Sequence, residues 1–416
     1  MCSVISFLLK EEMIMLMSIA LILLAGMSAG HLFRKLSLPP LIGMILAGML
    51  LGPYVLNLLD DSILAVSSQL RRIALIIILI RAGLKLNFED LKKVGRPAVL
   101  MCFLPACFEM AGTILLAPVL LGISVPDAAV LGAVLAAVSP AVIVPHMIRI
   151  IDEGYGTEKG IPQMILAGAS VDDVFVIVVF TSAAALAMGS DISAMHLLKI
   201  PVSIIAGVLA GFLIGKLVVR FAAVTKMKTA YTVIILMSLA FLLNGFEDAF
   251  GEVIPFASLL SIMTMGMMIR RDDMKLMRQV GPVFEEMWTA AEIFLFVLVG
   301  ASVALNSLKD CGIQAVLLVL LVLVFRVCGV WLCLLKTNLD IKEKMFCMIS
   351  YLPKATVQAA IGGLPLAMGI ASGQLILTVS VAAILLTAPL GAIGIEQTYR
   401  HFLSPSCTME TGDNEI

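Results

Sequence analysis

Two neighbouring aspartates, Asp172 and Asp173, lie inside the apolar stretch AGASVDDVFVIVVF at residues 167–180. Each ionised group in the middle of a membrane costs about 2.5–3.5 kcal/mol on insertion scales, so such groups are usually paired or functional. Successive side chains on a helix point about 100° apart, so one partner cannot readily neutralise both aspartates. The pair therefore indicates a functional site rather than a packing device.

The chemistry of two adjacent carboxylates narrows that function. In a medium of low dielectric constant they repel each other, so the two resist being ionised together. Such a group can hold a proton or a small hard cation such as Na⁺ or Li⁺, whose preferred ligands are oxygen atoms. Asp172 and Asp173 are thus the predicted proton-exchanging residues and the predicted ligands of Na⁺ or Li⁺.

Four other charged residues fall within apolar stretches: Arg81, Glu109, Arg326 and Lys354. With the aspartates they make three acids and three bases, which permits complete neutralisation. Arginine does not release its proton under these conditions, so Arg326 is predicted to be a fixed counter-charge, whereas a lysine can titrate. A salt bridge that only specifies packing would pair Glu109 with either Lys354 or Arg81. Glu292 lies nearer a segment end, and we interpret it as interfacial.

The composition defines the class of protein. Of the 416 residues, 61% are hydrophobic and 14% are charged, which is more apolar surface than a soluble domain can bury. We predict an all-α polytopic membrane protein with about thirteen transmembrane segments. These segments cover residues 13–33, 38–58, 65–84, 97–122, 126–150, 161–188, 198–222, 229–245, 254–269, 288–306, 312–335, 345–370 and 373–396. No cofactor and no nucleic-acid partner is predicted.

The positions of the basic residues predict the orientation in the membrane. Lysine and arginine collect in loops that follow odd-numbered segments, for example at Arg34, Lys85 and Arg149, and are scarce in the other loops. Because cytoplasmic loops carry the excess of basic residues, the N-terminus is predicted outside and the C-terminus in the cytoplasm. The sequence is compatible with a bacterial inner membrane or a eukaryotic plasma membrane, and the short tails favour the former.

Two of the predicted segments contain helix breakers. Segment 126–150 carries Pro140 and Pro145, and segment 345–370 carries Pro353 followed by a Gly-Gly pair. Proline removes a backbone donor, so both segments are expected to be unwound in the middle. They are an odd number of segments apart and cross the membrane in opposite directions. Interrupted helices at corresponding positions of two inverted halves indicate the binding site of a transporter.

Several polar residues accompany these breaks. Ser139, Pro140, Thr356 and Gln358 are the predicted contacts of the broken helices. Their oxygen atoms either contact an ion or only satisfy the unwound backbone. His146 lies nearby and is a candidate for tuning the response to pH.

Five stretches occur in order along most of the chain: LPPLIGMILAGMLLGP, RRIALIIILIRAGLKL, AVSPAVIVPHM, EGYGTEKGIPQMILAGASVDDV and LPKATVQAAIGGLPL. At these residues the chain resembles the cation/proton antiporter superfamily, and most closely the NHA-type sodium/proton antiporters of its Asp-Asp branch. The resemblance implies an inverted repeat with two discontinuous crossed helices and a homodimer embedded in lipid. It also implies a core that moves as an elevator.

The resemblance also assigns roles to residues and to parts of the chain. It implies that Asp173 binds the ion and that Asp172 pairs with Arg326. Many Asp-Asp members carry lysine where this chain has Arg326, so the arginine favours electroneutral over electrogenic exchange. The expected division is a dimerisation scaffold at 1–95 and 229–311, a transport core at 96–190 and 312–398, a linker helix at 191–228 and a cytoplasmic tail at 399–416.

The predicted function is antiport of Na⁺ or Li⁺ against H⁺ by alternating access, and not an enzymatic reaction. K⁺/H⁺ antiport and sodium-coupled symport of an organic solute on the same scaffold are the alternatives, although few polar residues are expected to line a solute cavity. An intramembrane aspartyl protease needs its aspartates on separate helices, and a prenyltransferase needs a longer acidic spacing. Asp172 and Asp173 are adjacent on one predicted helix, and the stretch DDVFV at residues 172–176 lacks the longer acidic spacing.

Overall fold

The computed structural model describes residues 2–36, 38–85, 95–188, 194–225, 227–250, 254 and 256–405. Within these ranges the regular secondary structure is helical, apart from one antiparallel bridge between Tyr155 and Pro405. Of the predicted cytoplasmic tail at 399–416, residues 406–416 lie outside the described part. The predicted all-α class is confirmed.

The helices are numbered here in chain order. They are α1 Cys2–Lys35, α2 Pro40–Leu51, α3 Asp61–Ala65, α4 Ser67–Lys85, α5 Arg96–Met101, α6 Leu104–Leu121, α7 Val125–Ala136, α8 Pro140–Asp152, α9 Ile161–Ala187, α10 Ala194–Thr225, α11 Thr229–Phe250, α12 Ser258–Asp272, α13 Met274–Ala301, α14 Leu305–Cys333, α15 Ile341–Ser350, α16 Thr356–Ile361, α17 Leu364–Ala367 and α18 Gly373–Phe402.

Each predicted segment coincides with one of these helices or with a short series of them. Within the described residues, seven spans are long and apolar enough to cross a membrane by length and composition. The number of crossings stays a prediction. Segment 97–122 differs from expectation because it divides into α5 and α6 at Phe103. Pro105 explains the division, since it has no N–H to continue the ladder of helical hydrogen bonds.

Both interrupted helices begin at a side-chain cap. The N–H of Asp127 donates to the Ser124 hydroxyl at 3.2 Å at the start of α7. At the start of α15, the N–H of Glu343 donates to Asp340 Oδ1 and the N–H of Asp340 donates to Glu343 Oε2, each at 2.8 Å. This reciprocal capping box satisfies amide groups that a helix end leaves free. The caps therefore fix where each interrupted helix starts.

The helices pack as two groups. The first bundle contains α1–α4 and α10–α13, and the second bundle contains α5–α9 and α14–α18. Packing within each bundle is extensive, for example between α2 and α13 and between α6 and α14. Contacts between the bundles are fewer and involve α16 with α4 and α13, α9 with α10 and α12, and α18 with α2. Helix α10, the predicted linker, packs along α12. The roles of scaffold and transport core stay predictions.

Glycines bring helices into backbone contact inside each bundle. A methyl group added to Gly48 would meet the carbonyl of Val297, and one added to Gly300 would meet the carbonyl of Ile45. These reciprocal contacts join α2 to α13. Close approach at small residues is a usual means of packing helices in membranes. The spacing of α2 and α13 is therefore set by backbone atoms.

At the seam, where the two bundles meet, a glycine contacts a side chain instead of backbone. A methyl group added to Gly363 in the second bundle would meet the guanidinium of Arg71, which extends from α4 in the first. Arg71 is 8% exposed, and its Nη1 has no hydrogen-bond partner within the described residues. At this place the bundles meet through a flexible side chain rather than through backbone.

Candidate functional site

The two interrupted helices meet at their breaks. Residues 137–139 are unwound between α7 and α8, and residues 351–355 are unwound between α15 and α16. The N–H of Ser139 donates to the carbonyl of Pro353 at 2.8 Å, so the two breaks are in direct contact. The prediction of two discontinuous crossed helices is confirmed.

Side chains of the second break satisfy carbonyls that the first break leaves free. Gln358 Nε2 donates to the carbonyls of Leu135 at 3.2 Å and Ala137 at 2.8 Å. Lys354 Nζ donates to the same Leu135 carbonyl at 2.6 Å. Buried backbone groups without partners are costly, so these contacts hold the unwound backbone in place. Gln358 thus contacts backbone in this structure.

The other residues predicted to contact the broken helices are Ser139, Thr356 and Pro140. The hydroxyls of Ser139 and Thr356 are buried and have no hydrogen-bond partner within the described residues. Pro140 begins α8 and contributes to the wall of a cavity described below. Two hydroxyl oxygens are therefore available beside the crossing.

Beside the breaks, a compact cluster of charges is completely buried. Arg326 Nη1 donates to Glu109 Oε2 at 2.8 Å, and Arg326 Nη2 donates to Asp172 Oδ2 at 3.1 Å. Lys354 Nζ donates to Glu109 Oε2 at 2.8 Å. All four side chains are 0% exposed. Two bases and two acids offset one another, and each retains several hydrogen bonds, which a buried ion pair requires.

Arginine 326 also holds the unwound backbone. Its Nε donates to the carbonyl of Tyr351 at 2.6 Å, and its Nη1 donates to the carbonyl of Ala136. These carbonyls lie at the edges of the two breaks. Since the planar guanidinium has donors in a fixed fork, one side chain ties both breaks to the acidic residues.

Arg81 does not belong to this cluster. Its Nε lies 2.7 Å from Glu285 Oε2, and its guanidinium lies over the ring of Trp288 at 5.7 Å. Of the two partners predicted for Glu109, Arg81 is therefore wrong, and Glu109 pairs with Lys354 and also with Arg326. Sequence spacing did not reveal that α13 places a carboxylate beside α4.

Asp172 and Asp173 both have an Oδ1 atom without a hydrogen-bond partner within the described residues, but their other contacts differ. Asp172 Oδ2 accepts from the N–H of Val138 at 2.8 Å as well as from Arg326. Asp173 is 8% exposed, its Oδ1 has no hydrogen-bond partner, and it forms no ion pair within the described residues. It lines a cavity of about 870 Å³. One aspartate is thus fixed by the protein, and the other faces open space.

The cavity wall carries charges of both signs. Its charged and titratable lining residues are Arg34, Arg81, Lys85, His146, Arg149, Asp173, Glu292 and Glu396. Glu285 pairs with Arg81 and Lys85, and Arg149 Nη2 lies 2.9 Å from Glu396. Asp173 and Glu292 are the lining carboxylates that form no ion pair within the described residues.

The helix that carries Glu292 is longer than the sequence predicts, since the predicted segment begins only at residue 288. The interfacial position of Glu292 stays a prediction. Helix α13 begins at Met274 and continues for 28 residues, so Glu292 lies well inside it. The charged first half of α13 concealed this continuity, and the Asp273 side chain, which caps the N–H groups of Lys275 and Leu276, was the signal for the true start.

A second network closes one end of the second bundle. Arg149 Nε donates to Glu153 Oε1 at 2.8 Å, and the Tyr399 hydroxyl donates to Glu153 Oε2 at 2.8 Å. The N–H of Gly156 donates to the carbonyl of Ser404 at 2.9 Å. We call Arg149, Glu153, Tyr399 and this backbone contact the end strap. Hydrogen bonds from Arg149 and then from Tyr399 lower the pKa of Glu153 to about 2.

Comparison with known proteins identifies the family. The family model described as "Sodium/hydrogen exchanger, transmembrane" matches residues 19–400. This chain belongs to the sodium/hydrogen exchanger family. The predicted resemblance to cation/proton antiporters is therefore confirmed, while membership of the Asp-Asp branch stays a prediction.

Relatives of this exchanger-family chain include animal proteins. Sodium/hydrogen exchanger 9B2 of Mus musculus is 32% identical over 404 residues, which cover 91% of this chain and 72% of the relative. Sodium/hydrogen exchanger 9B1 of Homo sapiens is 31% identical over 391 residues, covering 88% of this chain and 73% of the relative.

A solved structure shares the fold. The sodium proton antiporter MjNhaP1 from Methanocaldococcus jannaschii, determined at pH 8, aligns with a TM-score of 0.82 and 20% sequence identity. The alignment covers 94% of this exchanger-family chain and 99% of MjNhaP1. The predicted antiporter fold is confirmed by this likeness.

Proposed function

We propose that this chain exchanges Na⁺ or Li⁺ for H⁺ across a membrane by alternating access, with Asp173 as the exchanging carboxylate. The observation that carries the proposal is that Asp173 faces the cavity without a partner while Asp172 is held by Arg326. Membership of the sodium/hydrogen exchanger family supports the same reaction.

The cation and the proton compete for the carboxylate of Asp173, and this competition couples their transport. When it is protonated it is neutral and does not attract a cation. When a cation arrives, the proton moves from the carboxyl oxygen to cavity water, and the carboxylate holds the cation in its place. The free hydroxyls of Ser139 and Thr356 are proposed as further oxygen ligands. Because one carboxylate cannot hold both ions, movement of one requires release of the other.

Asp172 has a supporting role in this proposal. It accepts hydrogen bonds from Val138 and Arg326, and so it fixes the first break next to the ion site. Its charge is matched by Arg326, which does not exchange protons. Asp172 therefore positions the site and gives Asp173 a neighbour whose charge is already compensated.

The stoichiometry follows from the same arrangement. Lys354, the base that is able to titrate, is held against Glu109 at 2.8 Å and remains outside the exchange. Asp173 then carries one monovalent cation in one direction and one proton in the other. Exchange should be electroneutral, and its rate should not respond to an imposed membrane potential.

The architecture supports an elevator movement of the second bundle, which carries Asp173, against the first. Glycine contacts to backbone join helices inside each bundle, whereas the contact of Gly363 across the seam is with the side chain of Arg71. The cavity is rimmed by the exposed residues Arg34, Lys85 and Arg149, which the charge pattern of the loops assigns to the cytoplasmic side. In this proposal the structure is open to the cytoplasm. A homodimer formed through the first bundle is part of the same proposal.

The test is ion exchange in proteoliposomes that report internal pH, with Na⁺, Li⁺ and K⁺ compared side by side. Addition of Na⁺ should collapse a preformed pH gradient with the wild type but not with Asp173→Asn. Asp127→Asn is the matched control, because Asp127 is buried in α7 but bonds to the hydroxyl of Ser372 at 2.6 Å, outside the cavity lining. Normal exchange by Asp173→Asn would refute the assignment, and a response to K⁺ alone would establish K⁺/H⁺ antiport.

Sodium-coupled symport of an organic solute is a second candidate because the cavity is larger and more polar than the sequence suggested. Its volume of about 870 Å³ and its charged walls are compatible with a small polar solute. Symport predicts Na⁺ uptake that depends on the solute and leaves the pH gradient intact. The proteoliposome measurement separates the two functions.

A further inference from the structure

The cavity is lined by carboxylates from both bundles. Asp173 projects from α9 of the second bundle, and Glu292 projects from α13 of the first. Neither forms an ion pair within the described residues. The two carboxylates therefore belong to different bundles, and a relative movement of the bundles would change the distance between them.

The neighbours of Glu292 do not bond to it. Arg81 forms an ion pair with Glu285 at 2.7 Å and its guanidinium lies over the ring of Trp288, and Lys85 also pairs with Glu285. Arg81 and Arg34 are near enough to act on Glu292 electrostatically, but no hydrogen bond or ion pair joins them in the described part of the chain. Glu292 thus presents a free carboxylate to the cavity.

An unpaired carboxylate at Glu292 is energetically unfavourable unless it contacts a ligand. An acidic group inside a membrane helix is expensive when no base is paired with it. The wall also carries Arg34, Arg81, Lys85 and Arg149, and an excess of positive charge would lower the local concentration of a cation. A free carboxylate on the wall of the same cavity opposes that effect.

We propose that Glu292 is a second cation-contacting carboxylate, on the first bundle, which draws a monovalent cation into the cavity and toward Asp173. The inference rests on the proposed function, because it takes Asp173 as the destination of the cation. Glu292 remains on the first bundle and carries no ion across the membrane. Glu292 determines how readily a cation reaches the site, whereas Asp173 exchanges the cation for a proton.

The first test separates filling of the site from turnover. Glu292→Gln should raise the KM for Na⁺ by about three- to tenfold at low ionic strength while kcat changes little, since an attractive charge acts on capture. The difference should shrink in high salt, where the Debye length falls to about 3 Å. An unchanged KM, or a fall in kcat at constant KM, would contradict the proposal.

Glu396→Gln is the matched control. Glu396 lines the same cavity, but it is paired with Arg149 at 2.9 Å. Its removal should alter the KM by less than twofold because the arginine also bonds to Glu153. Equal increases in the two variants would show a general field effect and would overturn a specific role for Glu292.

A binding measurement distinguishes this inference from the proposed function. Na⁺ raises the melting temperature of a protein that binds it in the folded state. In an Asp173→Asn background a residual Na⁺-dependent increase should remain, and it should disappear when Glu292→Gln is added. If the wild type fails to exchange ions but this residual increase is seen, the antiport proposal fails and the cation contact stands. Loss of the increase in Asp173→Asn alone would refute the contact.

Discussion

The cluster around Arg326 and the wall of the cavity hold their charged side chains in opposite ways. In the cluster, Glu109, Asp172, Arg326 and Lys354 are completely buried and all are paired. On the wall, Asp173 and Glu292 face open space without an ion pair in the described part of the chain. A buried charge destabilises the protein least when an oppositely charged partner is bound to it. An unpaired carboxylate, in contrast, is available to bind a ligand. The contrast separates the residues that hold the breaks from the residues that we propose as contacts of the ion.

The largest expected effect comes from removing the arginine of the cluster. Arg326→Met would leave Asp172 without a base, while Glu109 keeps Lys354, and would free two backbone carbonyls. Loss of one partner of a buried pair typically costs about 3–5 kcal/mol, so the variant should show a strongly reduced melting temperature or no folded protein. Arg72→Met is the control, because Arg72 pairs with Asp248 at the surface, with side chains 42% and 49% exposed. Its effect should be about 1 kcal/mol or less.

A more moderate effect distinguishes the two aspartates. Asp172→Asn should destabilise the protein, since it removes the charge that balances Arg326. Asp173→Asn should be neutral or stabilising by about 1 kcal/mol, because it replaces an unpaired buried carboxylate with a neutral group. Melting temperatures in detergent without Na⁺ measure both. Equal destabilisation by the two variants would contradict the distinction between paired and unpaired carboxylates.

The smallest effect concerns the end strap, where the charges are paired but exposed to water. Hydrogen bonding lowers the pKa of Glu153 from an ordinary value of 4.5 to about 2. A lowered pKa means that this stabilisation is complete above about pH 4.5 and is lost as the pH falls toward 2. The difference in melting temperature between wild type and Glu153→Gln should therefore be constant from pH 6 to 8 and should decrease in acid. A difference that varies between pH 6 and 8 would show that another group titrates in the strap.

Much of the fold could be predicted because it depends on local properties of the chain. Apolar length located the helices, and proline located the breaks at residues 137–139 and 351–355. The roles of Asp172 and Arg326 as partners followed from residue type together with the family resemblance. These signals are short in range, and they do not require knowledge of which helices are neighbours.

The rest depended on distances between separate helices. The pairing of Arg81 with Glu285 needs α4 beside α13, and the exposure of Glu292 to the cavity needs the true start of α13. The end strap joins Glu153 to Tyr399 across more than half of the chain. The charges and their spacing in the sequence were equally compatible with other pairs of side chains. Only the packing of the helices shows which side chains pair.

The reciprocal contacts of Gly48 with Val297 and of Gly300 with Ile45 have a consequence for the proposed elevator movement. Backbone atoms set this spacing, so the dimensions of the first bundle do not depend on which rotamers its side chains adopt. The first bundle is therefore a frame of constant size, relative to which Asp173 would move in the proposed mechanism. Across the seam, Gly363 approaches the flexible side chain of Arg71 rather than backbone. The proposed movement would thus change the relation between the two bundles while each keeps its own shape.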